Sequence, residues 1–302
     1  MQLSLDLSPA GKAEPGGEEG SRSRASDTLQ DLRAVVLGSG SSGNAVVIES
    51  GGERLLLDAG FSCREIENRL RSIGMAAEGF VAVLVTHEHS DHIRGVARFA
   101  KRHGLPVYGT AGTFADVDLG SVERRIVASG EPFEVGEFQA EAFSLPHDAR
   151  EPVGYVVETS GGSRLGLAAD LGARTQLAWG RLRELDVLLL ETNHDLEMLR
   201  NGPYPWVLKQ RVAGRHGHLS NEQAADGLPD LLCDRLRYLV LYHLSRTNNL
   251  PALATEQIAT RLETCGARTE IVVSHQLRPT QWMEVPVRSA QARAGTSDGG
   301  EG

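Results

Sequence analysis

The chain is short of cysteine. Of its 302 residues only Cys63, Cys233 and Cys265 carry a thiol. They are scattered and odd in number, with neither the spacing of a zinc site nor a disulfide pattern. All three read as ordinary thiols, which suits a reducing compartment. Long apolar runs are missing too. No stretch approaches the roughly 20 apolar residues of a membrane span, so no membrane partner is expected. The N-terminus has no basic start followed by an apolar block, so no secretory signal is read there. Together these absences predict a cytoplasmic protein. An excess of basic charge is also lacking. The formal net charge is −9, and the body between the termini holds 27 bases against 32 acids, a charge of −5. That balance argues against strong non-specific nucleic-acid binding but leaves room for a local basic path.

What is present divides into tails and a body. Residues 8–27 are rich in Pro, Gly, Ser, Glu and Arg without apolar periodicity, which predicts a disordered tail over 1–32. A second tail is expected over 288–302. Between them, residues 33–287 are expected to form one domain. Apolar runs predict strands at 33–37, 45–48, 54–57, 80–85, 138–144, 153–159, 164–169, 186–190, 238–242 and 270–273. Helices are expected at 62–73, 93–103, 174–183, 221–233 and 250–264. This mixture of hairpins and crossover helices predicts an α/β fold with two mixed sheets flanked by helices.

One motif dominates. Thr86-His87-Glu88-His89-Ser90-Asp91-His92 follows the apolar run Phe80 to Val85, so its side chains gather where a strand ends. Imidazole nitrogen and carboxylate oxygen are donors that Zn²⁺ and similar ions select. Four donors so close exceed the three protein ligands of an open tetrahedral site. Two adjacent metals are therefore expected, with His87 and His89 facing one ion and Asp91 and His92 the other. Further polar residues cap apolar runs downstream: His147 after Phe143 to Pro146, Asp170 after Leu165 to Ala169, and His243 after Tyr238 to Tyr242. Earlier in the chain, Gly38-Ser39-Gly40-Ser41-Ser42-Gly43-Asn44 joins two strands. It serves either as a plain turn or as a nest of N–H groups facing a phosphate. The Lys of a Walker loop is missing.

HxHxDH followed by His, Asp and His resembles the metallo-β-lactamase fold hydrolases over roughly residues 33–275. The resemblance implies an αββα sandwich. It also implies that His87, His89 and His147 hold a first divalent ion (Zn²⁺ or Mn²⁺). Asp91, His92 and His243 would hold a second, with Asp170 bridging. Asp58, at the end of Arg54 to Leu57, matches the early aspartate that orients a ligand in that family.

The segment from Asp170 to His243 carries substrate information. Glu191-Thr192-Asn193-His194-Asp195, then Gly217-His218-Leu219-Ser220-Asn221, then His243-Leu244-Ser245-Arg246-Thr247-Asn248-Asn249 resemble the phosphodiesterase branch. With the glycine-rich loop they look like the YycJ/WalJ group, which is associated with 5′→3′ exonuclease activity on double-stranded DNA. The resemblance implies that Glu191 orients His218 and that His218 protonates the leaving oxygen, a role suited to imidazole near neutral pH. Asp91 would also hold the nucleophile's proton. Helix caps are the plainer use of Asn193, Asp195, Ser220, Asn221, Asn248 and Asn249. The interval between Glu197 and Glu222 has no carboxylate side chain. It holds Arg200, Lys209, Arg211, Arg215, His216 and His218, with Tyr204 and Trp206 interleaved. Such a strip suits a nucleic-acid backbone and stacked bases, or a solvated loop. Ser41, Ser42, Asn44, Arg246 and Asn248 are the candidate substrate contacts.

The expected activity is metal-dependent phosphodiester hydrolysis on DNA. Its nearest rivals use the same metals on RNA or on a small cyclic phosphodiester of the phosphoribosyl 1,2-cyclic phosphate type. A thioester hydrolase would not need Glu191 with His218. A non-catalytic DNA-repair module would not need every ligand position filled.

Overall fold

The central strands are apolar on both sides, and both sides are buried. A computed structural model describes residues 30–287. In its first strand, β1 (Gln30–Gly38), Leu32, Ala34 and Val36 face one core while Val35 and Leu37 face another. The same split recurs in β2 (Ala45–Ser50), β3 (Glu53–Leu57) and β4 (Phe80–Leu84). Burial on two faces explains why these segments read as continuous apolar runs rather than alternating ones.

Two seven-stranded sheets result. The first runs from an edge strand, Met283–Pro286, through β1, β2, β3 and β4 to Val107–Gly109 (β5) and Arg124–Ile126 (β6). Its β1–β3 part is antiparallel and its β3–β6 part parallel. The second sheet begins with β7 (Pro132–Val135), β8 (Phe138–Ser144) and β9 (Val153–Thr159), which are antiparallel. It continues through β10 (Arg164–Ala168), β11 (Val187–Glu191), β12 (Tyr238–Tyr242) and β13 (Glu270–Val273), which are parallel. The strand Met283–Pro286 is β14.

The sheets pack face to face around Leu55, Leu57, Tyr155, Leu167, Leu189 and Tyr242. Helices α1 (Cys63–Ser72) and α3 (Val96–His103) cover the outer face of the first sheet, with the short α2 (Ser90–Ile93) between them in sequence. A small α4 (Ala111–Ala115) packs with them through Phe114. Helices α5 (Gln176–Arg181), α8 (Asn221–Gly227) and α9 (Pro251–Thr264) cover the second sheet. Between β11 and α8 lie α6 (Leu196–Asn201) and α7 (Trp206–Val212). This is the expected sandwich of two mixed sheets between helical layers.

Boundaries differ from expectation in a few places. Residues 1–29 and 288–302 of the two expected tails lie outside the described residues. Residues 30–32, expected in the N-terminal tail, open β1 instead. Leu32 is fully buried, and the Asp31 carboxylate accepts from Thr159 Oγ1 and Ser163 N, both at 2.9 Å. The expected helix 93–103 breaks at Gly95, whose close approach to the Phe61 carbonyl leaves no room for a Cβ. No helix among the described residues is long and apolar enough to cross a membrane.

Candidate active site

The polar residues that end β3, β4, β10 and β12 converge at one rim of the sandwich. Asp58, Asp170 and His243 sit there with φ of 57°, 54° and 57°. Only one other described non-glycine residue, Glu184, has a positive φ. Each such left-handed residue costs on the order of 1–3 kcal/mol, and backbone strain of this kind concentrates at functional sites. Here it turns three side chains sharply off strand ends into a shared space.

Two groups of donors face each other. The ring nitrogens of His87, His89 and His147 form one, with His147 Nε2 3.3 Å from His89 Nδ1. His147 Nδ1 is engaged with the Gly217 carbonyl at 3.1 Å, which leaves its Nε2 with only a lone pair to present. Asp91, His92 and His243 form the other group, with Asp91 Oδ2 3.3 Å from His243 Nε2 and 3.7 Å from His92 Nε2. Asp170 stands between them: its Oδ2 lies 2.6 Å from His92 Nε2 and 3.7 Å from His87 Nε2.

The surroundings fix these rings. Asp58, fully buried, places Oδ2 2.7 Å from His92 Nδ1 and accepts from the Thr86 backbone N–H at 2.8 Å. Asn193 Nδ2 donates to the His243 carbonyl at 2.8 Å, and His243 N donates to Ser39 Oγ at 2.8 Å. Glu191 is fully buried at the end of β11. Its Oε1 lies 2.7 Å from His218 Nδ1, and its Oε2 accepts from Leu171 N and Leu219 N at 2.7 and 3.1 Å. One carboxylate thus ties together the residues that follow Asp170 and His218. His218 is half-buried and keeps Nε2 for the open side.

Burial and charge set the protonation. Burial and the neighbouring rings hold His87 well below the usual imidazole range, and burial lowers His147. Burial also opposes charge on His92, but Asp58 and Asp170 outweigh it and raise that ring well above its ordinary value. Burial likewise opposes charge on His243, yet Asp170, Asp91 and Glu191 bring it to about 9. His218 follows the same rule: its desolvation is overcome by Glu191 and Asp170, which push it well up. Burial resists ionisation of Glu191, but the His218 charge draws the carboxyl down to about 2.

The donor set fits a divalent metal. His87 Nε2 and Asp170 Oδ2 are buried without a well-directed hydrogen bond. The ring nitrogens of His87, His89 and His147 lie close enough together to share one ion. Such atoms are satisfied by a cation and otherwise cost desolvation energy.

A beta-lactamase superfamily domain matches residues 53–243. The chain belongs to that superfamily. Members of this fold bind divalent metal, and the chain is a metal-dependent hydrolase. It is 34% identical over 240 residues to "Exodeoxyribonuclease YycJ" of Bacillus anthracis, spanning 78% of this chain and 90% of that one. With "Exodeoxyribonuclease WalJ" of Streptococcus pneumoniae it shares 38% over 226 residues, 72% of this chain and 84% of the relative. The metallo-beta-lactamase fold protein YhfI of Bacillus subtilis superposes with a TM-score of 0.63 at 19% identity, over 84% of this chain and 99% of its own.

Two of the expected substrate contacts are buried. Asn44 is fully buried: its Oδ1 accepts from Gly40 N at 2.9 Å and its Nδ2 lies 3.1 Å from His92 Nε2. It braces the glycine-rich loop against the site and presents nothing to solvent. Asn248 is 1% exposed, with neither amide atom reaching solvent. Ser41, Ser42 and Arg246 are exposed. The cap expectations resolve individually. Asp195 caps α6, accepting from Met198 N at 2.8 Å, and Ser220 caps α8 in a reciprocal capping box with Gln223. Asn193 bonds His243 instead, and Asn249 bonds the Thr192 and Asn193 carbonyls.

Sequence reasoning missed Thr86 and Ser39 as supports, and the Gly217 carbonyl as the partner of His147. Thr86 carried a signal, since it opens the motif. A backbone carbonyl carries none.

Proposed function

We propose that this chain is a divalent-metal phosphodiesterase that degrades double-stranded DNA from the 5′ end. The observation that carries the reading is the Glu191–His218 pair, 2.7 Å apart and in contact with Asp170 at 3.2 Å through His218 Nδ1. A metal site alone serves many hydrolases. A buried carboxylate holding a protonated imidazole beside it suits a reaction whose leaving group is an alkoxide. The relatives named exodeoxyribonucleases support DNA as the polymer.

In this reading His87, His89 and His147 would hold one ion and Asp91, His92 and His243 another (zinc or manganese), with Asp170 available to both. Divalent ions bound there would make a water nucleophilic at neutral pH and polarise a phosphate. The chain's own residues do the rest. Asp58 fixes the tautomer of His92, and the Gly217 carbonyl fixes that of His147. Asp91 accepts the nucleophile's proton. Glu191 keeps the proton on His218 Nδ1 and holds the ring cationic, so His218 Nε2 delivers its proton to the departing sugar oxygen.

Linear duplex DNA labelled at the 5′ or the 3′ end tests this, with metal-loaded protein and Asp91→Ala as the control. Release of mononucleotides from the 5′ end by wild type, and none by the variant, is expected. Hydrolysis of a small phosphodiester with DNA left intact would reject the polymer assignment and direct attention to RNA and cyclic phosphates.

A further inference from the structure

We infer that α7 is the arm that receives the nucleic-acid strand, with Trp206 as the platform on which a base stacks. This rests on the polymer reading above and adds where the strand lies and how far it must reach.

The geometry begins at the site. The loop after α7 is clamped between two ligand-bearing segments. Asp148 N donates to the His216 carbonyl at 3.1 Å, His147 Nδ1 contacts the Gly217 carbonyl, and a Cβ on Gly172 would strike the Arg215 carbonyl. His218 N donates to the Val212 carbonyl at 2.8 Å, so the C-terminal end of α7 abuts the rim. From Val212 the helix runs outward to Trp206, a span of about 9 Å at 1.5 Å per residue.

Cations mark the path. Arg215 is exposed and has no carboxylate partner among the described residues, and Lys209 Nζ donates only to the Arg200 carbonyl. Arg211 and Arg200 pair with Asp148 and Glu197. At the outer end Trp206 and Val207 are 69% and 76% exposed. By contrast Trp179 is buried, and its indole N–H is bonded to the Gly227 carbonyl. A solvent-facing indole at the outer end of a helix that carries Lys209 and Arg211 and is rooted beside the proposed ligands is an arrangement that can stack bases along a phosphate backbone.

The distance yields a length rule. Successive phosphates on one strand advance about 3.4 Å along a duplex. At that spacing a base that meets Trp206 lies about two to three nucleotides beyond the rim where α7 ends.

The test is kcat/KM on oligonucleotides of two to ten residues, using metal-loaded full-length wild type, Trp206→Ala and Trp206→Phe. Each stacked base contributes enough that Trp206→Ala should lose about ten-fold on the longer substrates. That penalty should grow from dinucleotide to decamer and reside in KM, and Trp206→Phe should recover most of it. A penalty of equal size at every length would mean a structural role and overturn the inference, as would no penalty at all. Sedimentation velocity provides a second check. A change of oligomeric state in Trp206→Ala would make the patch a contact between copies of this chain and overturn the inference. If wild type cleaves the small diester but neither the oligonucleotides nor linear duplex DNA, the polymer reading itself has failed. If wild type degrades oligonucleotides and Trp206→Ala matches it throughout, only the platform has failed.

Discussion

At the residue scale, Glu191 shows how one buried carboxylate serves several ends. Its two oxygens accept from the His218 ring and from two backbone N–H groups. An amide cannot do this, because whichever way it turns one NH₂ faces a donor. Glu191→Gln should therefore cost about 1–3 kcal/mol of stability, measurable by chemical denaturation. It should also lower the His218 pKa, since Glu191 is the chief attractive charge acting on that ring. As His218 acts when protonated, the alkaline limb of the kcat–pH profile should move to lower pH. An unmoved limb would show that His218 is not the acid.

The proposed metal ligands could be picked out in the sequence because they follow apolar runs that form strands. The burial of Asn44 and Asn248 could not be read from the sequence for a matching reason: a polar residue in a loop gives no sign of which way it turns. Asn44 turns inward because the tight loop needs its amide to close on Gly40 and the Asp91 segment. Only the tertiary fold supplies that partner.

At the scale of elements, the site depends on segments pressed together more closely than side chains allow. Gly60 follows β3, and a Cβ there would strike the Asp91 carbonyl. Gly60→Ala should displace the Asp91 segment, lowering stability by about 1–3 kcal/mol and weakening metal binding. Thermal unfolding and metal titration would check both effects. Ser220→Ala makes a useful contrast. It removes the α8 cap two residues from His218, for about 1 kcal/mol, with every metal donor still in place.

Ten strands and five helices could be read from periodicity, and the long two-face-buried strands were the clearest. What escaped was short or irregular. β5 and β6 have three residues each, too few to show a period, and β6 is exposed throughout. α7 was hidden behind Gly202, Pro203 and Pro205, which read as loop although Pro205 is the helix N-cap. β14 lies just before the expected tail and is fixed by pairing with β1 across more than 240 residues and by burial of Met283 and Val285 in the core.

For the whole molecule, proton and metal binding compete. In the metal-free protein His243 is raised from 6.5 to about 9, and His92 and His218 are raised as well. A raised pKa means the folded state holds protons that the unfolded chain has lost. The resulting stability is full below pH 6.5 and drains away as pH climbs toward 9. His87 and His147, lowered by burial, act on the acid side of 6.5 and do not offset this. Metal binding requires deprotonated ligands, so affinity should grow over the same window. Thermal unfolding between pH 6.5 and 9 should therefore show the EDTA-treated protein losing stability while the loaded protein at fixed free metal gains relative to it. Parallel slopes would contradict the assigned ligand set.

The central claim is a division of labour between residues that hold metal and a residue that moves a proton. His218→Ala tests it most directly, measured together for metal content and for turnover of duplex DNA. The account predicts two ions per chain, as in wild type, with turnover slowed by roughly 10²–10⁴-fold. A variant that loses its metal, or one that turns over at the wild-type rate, would contradict it.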